Sequence, residues 1–199
     1  MLWASFIGMP FGAIELFFVP HYWYPESLFN LMRQYGFGVE GFIYAFSIAG
    51  IAAVVYEFIG KKGLKKAPGK ESKKLHLAPF FLFVLVFLAA EFFTPQKPML
   101  NLLAAFVCGS VLTGFLRKDL IKQMAVAGII FGVFYFFLFS LLNAFFNDFI
   151  SRFYSNQIFN NFKLLGVPLE EILGAFCGGA FWSVLYEYTR SYKNISKRN

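Results

Sequence analysis

Apolar residues in this chain run in long blocks parted by short polar segments, without the stripes of an amphipathic soluble helix. A helix needs about 20 mostly apolar residues to cross roughly 30 Å of hydrocarbon. Blocks of that kind fall at 2–19, 37–60, 77–94, 98–116, 123–147 and 168–188. The pattern predicts an all-α polytopic membrane bundle of about six transmembrane helices and leaves little sequence for a soluble domain. The first block starts at Met1 without a basic segment, and Ala13 and its neighbours form no convincing cleavage site. It therefore reads as a structural span and not as a signal peptide.

Composition agrees: 58% of residues are hydrophobic and 22% aromatic, which excludes an ordinary soluble domain. The net charge of +7 would fit a nucleic-acid binder, but the placement of the basic residues points elsewhere. Lys61, Lys62, Lys65, Lys66, Lys70, Lys73 and Lys74 share one loop. Arg117, Lys118 and Lys122 share a second, and Arg190, Lys193, Lys197 and Arg198 lie in the tail. Only Arg33, Lys97, Arg152 and Lys163 fall in the alternate loops, a bias of 14 to 4. The positive-inside rule then puts both chain ends in the cytoplasm of a multi-pass cell-membrane protein, with the basic loops against anionic headgroups. Cys108 and Cys177 sit inside apolar blocks as small packing residues. His21 and His76 belong to opposite sides, so no metal site is expected. The sequon at Asn194-Ile195-Ser196 is cytoplasmic in this topology and should be silent.

The segment Leu28 to Phe58 aligns without gaps onto Ile158 to Tyr188 at an offset of 130. The matches include polar residues: Asn30 with Asn160, Arg33 with Lys163, Gly36 with Gly166, Glu40 with Glu170, and Tyr56-Glu57 with Tyr186-Glu187. Four spans separate the copies, so the reading is a tandem parallel repeat about an axis along the membrane normal, with a pocket between the halves. Tyr22, Trp23 and Tyr24 suit the headgroup interface, and the two Tyr-Glu pairs, where the spans exit, suit interfacial anchoring and helix termination.

A charged residue inside such a block costs roughly 2.5–3.5 kcal/mol and calls for a reason. Glu15, Glu40, Glu170 and Glu171 stand out. Burial favours the neutral acid, which can donate a proton at neutral pH, whereas a helix N-terminus favours the carboxylate. Pro168 suits the first helical turn. Glu170 and Glu171 diverge by about 100° around the helix, so one can serve as acid and the other as partner or base. The bland reading is that these carboxylates cap helices at the interface.

Leu165-Gly166-Val167-Pro168-Leu169-Glu170-Glu171-Ile172-Leu173, followed by Leu185-Tyr186-Glu187-Tyr188, resembles the lycopene cyclase domain of two-subunit or fused carotenoid cyclases. That family carries Pro-Leu-Glu-Glu at a helix start and Tyr-Glu near its end, in two homologous three-helix units often joined by a bridging helix. The resemblance implies a first repeat over 1–60 with two helices, its opening helix missing. It further implies a basic cytoplasmic loop and bridging helix over 61–97, a second repeat of three helices over 98–190, and a cytoplasmic tail over 191–199. It implies cyclisation of lycopene-type ends without net redox change, with Glu170 and Glu171 in the motif positions. Glu40 matches only in part, because Gly38 replaces the proline and Gly41 the second glutamate. Glu15 lies near a family aspartate, whose second-unit counterparts here are Asn143 and Asp148.

The chemistry asks for an acid, a base and dry aromatic walls that stabilise a tertiary cation. Phe42, Tyr44, Phe46, Phe176, Phe181 and Trp182 are the candidate substrate-binding rings. No dinucleotide motif is present and no cofactor is expected. The expected partners are the bilayer and an apolar isoprenoid or carotenoid substrate, with a homo-oligomer left open and nucleic acid excluded. Two alternatives remain: a non-catalytic isoprenoid- or carotenoid-binding membrane protein, and a small-molecule transporter. A Glu-Glu membrane protease lacks an intramembrane histidine, and a retinal-binding protein lacks an intramembrane lysine.

Overall fold

The computed structural model describes residues 2–24, 26–60, 62–66, 77–146, 149–154, 162–190 and 192–196. His76 with most of the basic loop, Asp148, and Phe159 and Asn160 of the repeat lie outside the described residues. The chain opens with α1 (Leu2–Gly8), a tighter 3-10 stretch (Met9–Ile14) and α2 (Glu15–Phe18), which run on as one apolar helix. Pro10, with no N–H to donate, falls at the start of the tight stretch. The short α3 (Leu31–Tyr35) then leads into α4 (Val39–Gly60) and strand β1 (Lys62–Lys66). Pro79 and Pro98 open α5 (Ala78–Phe93) and α6 (Pro98–Leu116), where a missing N–H costs nothing. α7 (Ile121–Phe145) and the short α8 (Phe149–Phe153) follow. A two-residue-per-strand hairpin, β2 (Lys163–Leu164) with β3 (Val167–Pro168), feeds α9 (Leu169–Trp182), α10 (Leu185–Arg190) and β4 (Tyr192–Ser196).

The helical-bundle reading holds. Three helices, Val39–Tyr56, Pro98–Leu116 and Lys118–Phe145, are long and apolar enough to cross a membrane, and Leu2–Phe18 and Ala78–Phe93 are shorter apolar helices. These mark the chain as a membrane protein. The sixth block differs from its expected single helix, because a turn at Ser183 and Val184 separates α9 from α10. The cause is a side chain: the buried Gln123 amide donates to the Ser183 carbonyl at 2.7 Å, and also to the Glu187 carboxylate. Arg117 adds a bond of 3.3 Å to the Glu187 carbonyl while pairing with Asp119 at 2.9 Å. Glu187 is thus completely buried, 0% exposed, and is no surface anchor. Pro168, for its part, caps α9 instead of entering its first turn.

The end of the bundle where α4 and α9 begin is called the upper end below. α9 packs against α7 and α6, while α1 and the 3-10 stretch pack against α4. Small residues permit the approach, since lipid provides no hydrophobic drive and contact must come from close packing. A side chain at Gly12 would strike the backbone of α4 at Phe42, and one at Gly179 would strike Phe131 of α7. Above the bundle, α4 and α9 each begin three residues after a glycine in the left-handed region, Gly36 at φ 78° and Gly166 at φ 86°. Below it, β1 and β4 pair antiparallel with Leu64 opposite Asn194 and Lys62 opposite Ser196.

Replacing Gly179 by Val should wedge α7 from α9 and destabilise the bundle by about 1–3 kcal/mol or more. A lowered midpoint of thermal unfolding for the detergent-solubilised protein would register it, and an unchanged midpoint would show that the contact is slack.

Candidate functional site

Four of the acidic side chains singled out by sequence sort into two pairs at the upper end. Glu15, the first residue of α2, accepts the backbone N–H of Gly38 at 3.0 Å and interacts electrostatically with Glu40. Glu40 uses one carboxylate oxygen to accept the Leu28 N–H, and its other oxygen is buried with no hydrogen bond. Gly41 is what lets this pair form. A Cβ there would collide with the Glu15 carboxylate, so the missing side chain at position 41 leaves room on α4 for an acid from α2.

Glu170 and Glu171 form the second pair in the first turn of α9, at 0% and 7% exposure. Glu171 accepts a hydrogen bond of 2.8 Å from Tyr22, a residue 149 positions earlier in the chain. Tyr135 of α7 also hydrogen-bonds Glu171, and Tyr44 and Tyr154 lie within its electrostatic reach. The Tyr44 and Tyr135 hydroxyls are 2.6 Å apart. Aromatic contacts close the cluster: Tyr22 meets Phe18 at 5.7 Å and Tyr154 at 5.6 Å, and Tyr135 stacks on Phe139 at 4.7 Å. Burial first, and the Glu171 charge second, push the Tyr22 phenol far above its ordinary range, so it remains a protonated donor.

Tyr22 was expected at the headgroup interface, yet it is only 2% exposed. The loop folds inward because the Tyr24 N–H donates to the Phe153 carbonyl at 2.8 Å and Trp23 bridges Tyr154, drawing residues 22–24 over the start of α9. Tyr22, Tyr135 and Tyr154 have no sequence signal of their own, since tyrosine at a span end or inside an apolar block reads as an anchor or as core. Glu91 did have one: it lies within the third apolar block. It is buried, accepts 2.9 Å from Asn101 and interacts with His21. Thr94 completes that knot through Asn101 at 2.8 Å.

The six rings proposed as a substrate wall are dispersed. Phe42 meets Phe37 edge-on at 5.9 Å and Phe46 meets Phe6 at 5.4 Å, both in the first half of the chain. Phe181 is buried between Phe83 and Phe106 at 5.3 and 5.9 Å, and Trp182 abuts Phe11 at 5.4 Å. Phe176 lies against Gly128 and Gly132 of α7. Tyr44 alone of the six joins the Glu171 cluster. A cavity of about 10 Å³ lies lower down, beside Phe181 and Tyr188. Another, of about 500 Å³, opens at the upper surface between Tyr24, Arg33 and Arg152. Neither is lined by the four glutamates. Among the described residues, no cluster of three or more His, Cys, Asp or Glu side chains could hold a metal ion.

No curated protein and no solved structure matches the chain. Residues 97–189 match the family model described as Lycopene cyclase, a stretch that carries Glu170, Glu171, Tyr135 and Tyr154. Over residues 97–189 the chain is thus similar to the lycopene cyclase family.

Proposed function

We propose that this protein is a membrane carotenoid cyclase of the lycopene type, with Glu171 as its principal acid. The observation that carries the reading is the Tyr22–Glu171 hydrogen bond inside a cluster of phenols, within the stretch matched by the family. A carboxyl among phenols in apolar surroundings is held most cheaply as the neutral acid. Glu171 gives its proton to a terminal carbon–carbon double bond and leaves a tertiary cation. An internal double bond attacks that cation and closes the ring, and a carboxylate, with Glu170 the nearest candidate, takes a proton from the ring to restore a double bond. Bonds and protons balance without an oxidant or reductant. The surrounding rings offer π faces to the cation.

Six crossings with both ends inside, and two halves related by a parallel repeat, belong to the same proposal. Support for the repeat comes from geometry at an offset of 130: Gly36 and Gly166 share their left-handed backbone, and α4 and α9 begin at corresponding positions. β1 and β4 are likewise corresponding segments, and they pair with Leu64 opposite its own counterpart Asn194, as an axis between the halves requires. The pairing of Trp23 with Tyr154, and of Tyr24 with Phe153, has the same symmetry at the upper end. Glu15 and Glu40 are then the first half's counterpart of the Glu170 and Glu171 pair. Under this topology the upper end faces outward.

In lycopene-producing cells, Glu171→Gln should lower ring formation by about 100-fold or more while the protein still accumulates in the membrane. Product analysis beside an immunoblot measures both. Linear lycopene as the sole pigment with a well-expressed wild type would sink the cyclase reading and favour the non-catalytic binder, and substrate flux through vesicles would favour the transporter.

Tyr22→Phe keeps the ring and removes the donor to Glu171, and should slow cyclisation about 5- to 30-fold, the worth of one buried hydrogen bond. Wild-type rates in that variant would show that Tyr22 has only a packing role.

A further inference from the structure

Tyr44 of α4 and Tyr135 of α7 share a hydrogen bond of 2.6 Å in which either oxygen can be the donor. Their burial is unequal. Tyr135 is buried beside Glu171, whereas Tyr44 is 47% exposed on the outer face of the bundle. Exposed neighbours on the same two helices are apolar, among them Ile43, Val133, Phe134 and Phe137. Phenylalanine at both positions would fill the same space without bringing two hydroxyls into an apolar surface, where polar groups are costly. Since Tyr135 also bonds Glu171, the two hydroxyls make a continuous line from an exposed side chain to the buried carboxyl. Tyr44 lies roughly 7 Å along α4 from its start, with its hydroxyl turned inward to Tyr135.

We propose that Tyr44 and Tyr135 form a hydroxyl relay that carries protons between the upper membrane surface and the Glu171 carboxyl. After Glu171 has given up its proton, its carboxylate takes the Tyr135 hydroxyl proton and the Tyr135 oxygen takes that of Tyr44. Tyr44 then takes a proton from water and leaves hydroxide, which is neutralised when the carboxylate that took the ring proton releases it to solution. Both phenols finish unchanged. The relay's catalytic meaning rests on the cyclase reading, but its existence does not.

The test is infrared spectroscopy of the full-length protein in lipid nanodiscs transferred to deuterated water, following the carbonyl band of a protonated carboxyl. Loss of the band in Glu171→Gln assigns it. The expected result is exchange slowed by roughly tenfold or more in both Tyr44→Phe and Tyr135→Phe, with helix content unchanged by circular dichroism. Wild-type exchange rates in either variant would overturn the relay, as would absence of a Glu171 carboxyl band in the wild type. Ring formation plays no part in this readout. An inactive wild type with relay-dependent exchange overturns only the cyclase reading, and an active one with relay-independent exchange overturns only the relay.

Discussion

A carboxyl group placed inside a membrane bundle must find hydrogen-bond donors within the protein, because lipid supplies none. At Glu171 those donors are phenols, and Tyr22 comes from the far end of the chain. The path of the loop after α2, the inward turn of residues 22–24 and their backbone pairing with Phe153 and Tyr154 all serve that one contact. The α9 helix start holds the acid, but the first part of the chain completes its surroundings.

The same constraint operates at three other places, each time with a different donor. Glu15 takes a backbone N–H beside Gly41, Glu91 takes the Asn101 amide, and Glu187 takes the Gln123 amide. Side-chain amide donors tie the last two acids into turns and helix breaks, where they hold structure. Glu171 differs because its partners are hydroxyls, which both donate and accept and can therefore pass a proton on. That difference in donor chemistry separates the proposed acid from the acids that fasten the fold.

The dispersal of Phe42, Phe46, Phe176, Phe181 and Trp182 follows from close packing without a hydrophobic drive. Aromatic side chains fill the gaps that small residues open between α1, α4, α6, α7 and α9, so each ring finds its nearest helix neighbour and no common wall. Phe181 beside Gly109, stacked on Phe83, is a packing residue for this reason. Tyr44 escapes the pattern through its hydroxyl, which reaches across to α7.

Hydropathy along the chain by itself determined the helical membrane class, the approximate bounds of α4 to α7, and the four glutamates that an apolar block cannot hold without cause. Those are local properties, readable because each residue's cost in lipid depends on its own chemistry and on its neighbours in one helix. Glu91 met the same criterion and was legible on the same terms. Only the tertiary structure decided that Glu171 sits among tyrosines, that Glu15 occupies the space left by Gly41, and that Gln123 breaks the last helix at Ser183. Those contacts join residues 26 to 149 positions apart, and which of them meet is settled by how closely the helices approach, a quantity that no periodicity along one helix contains.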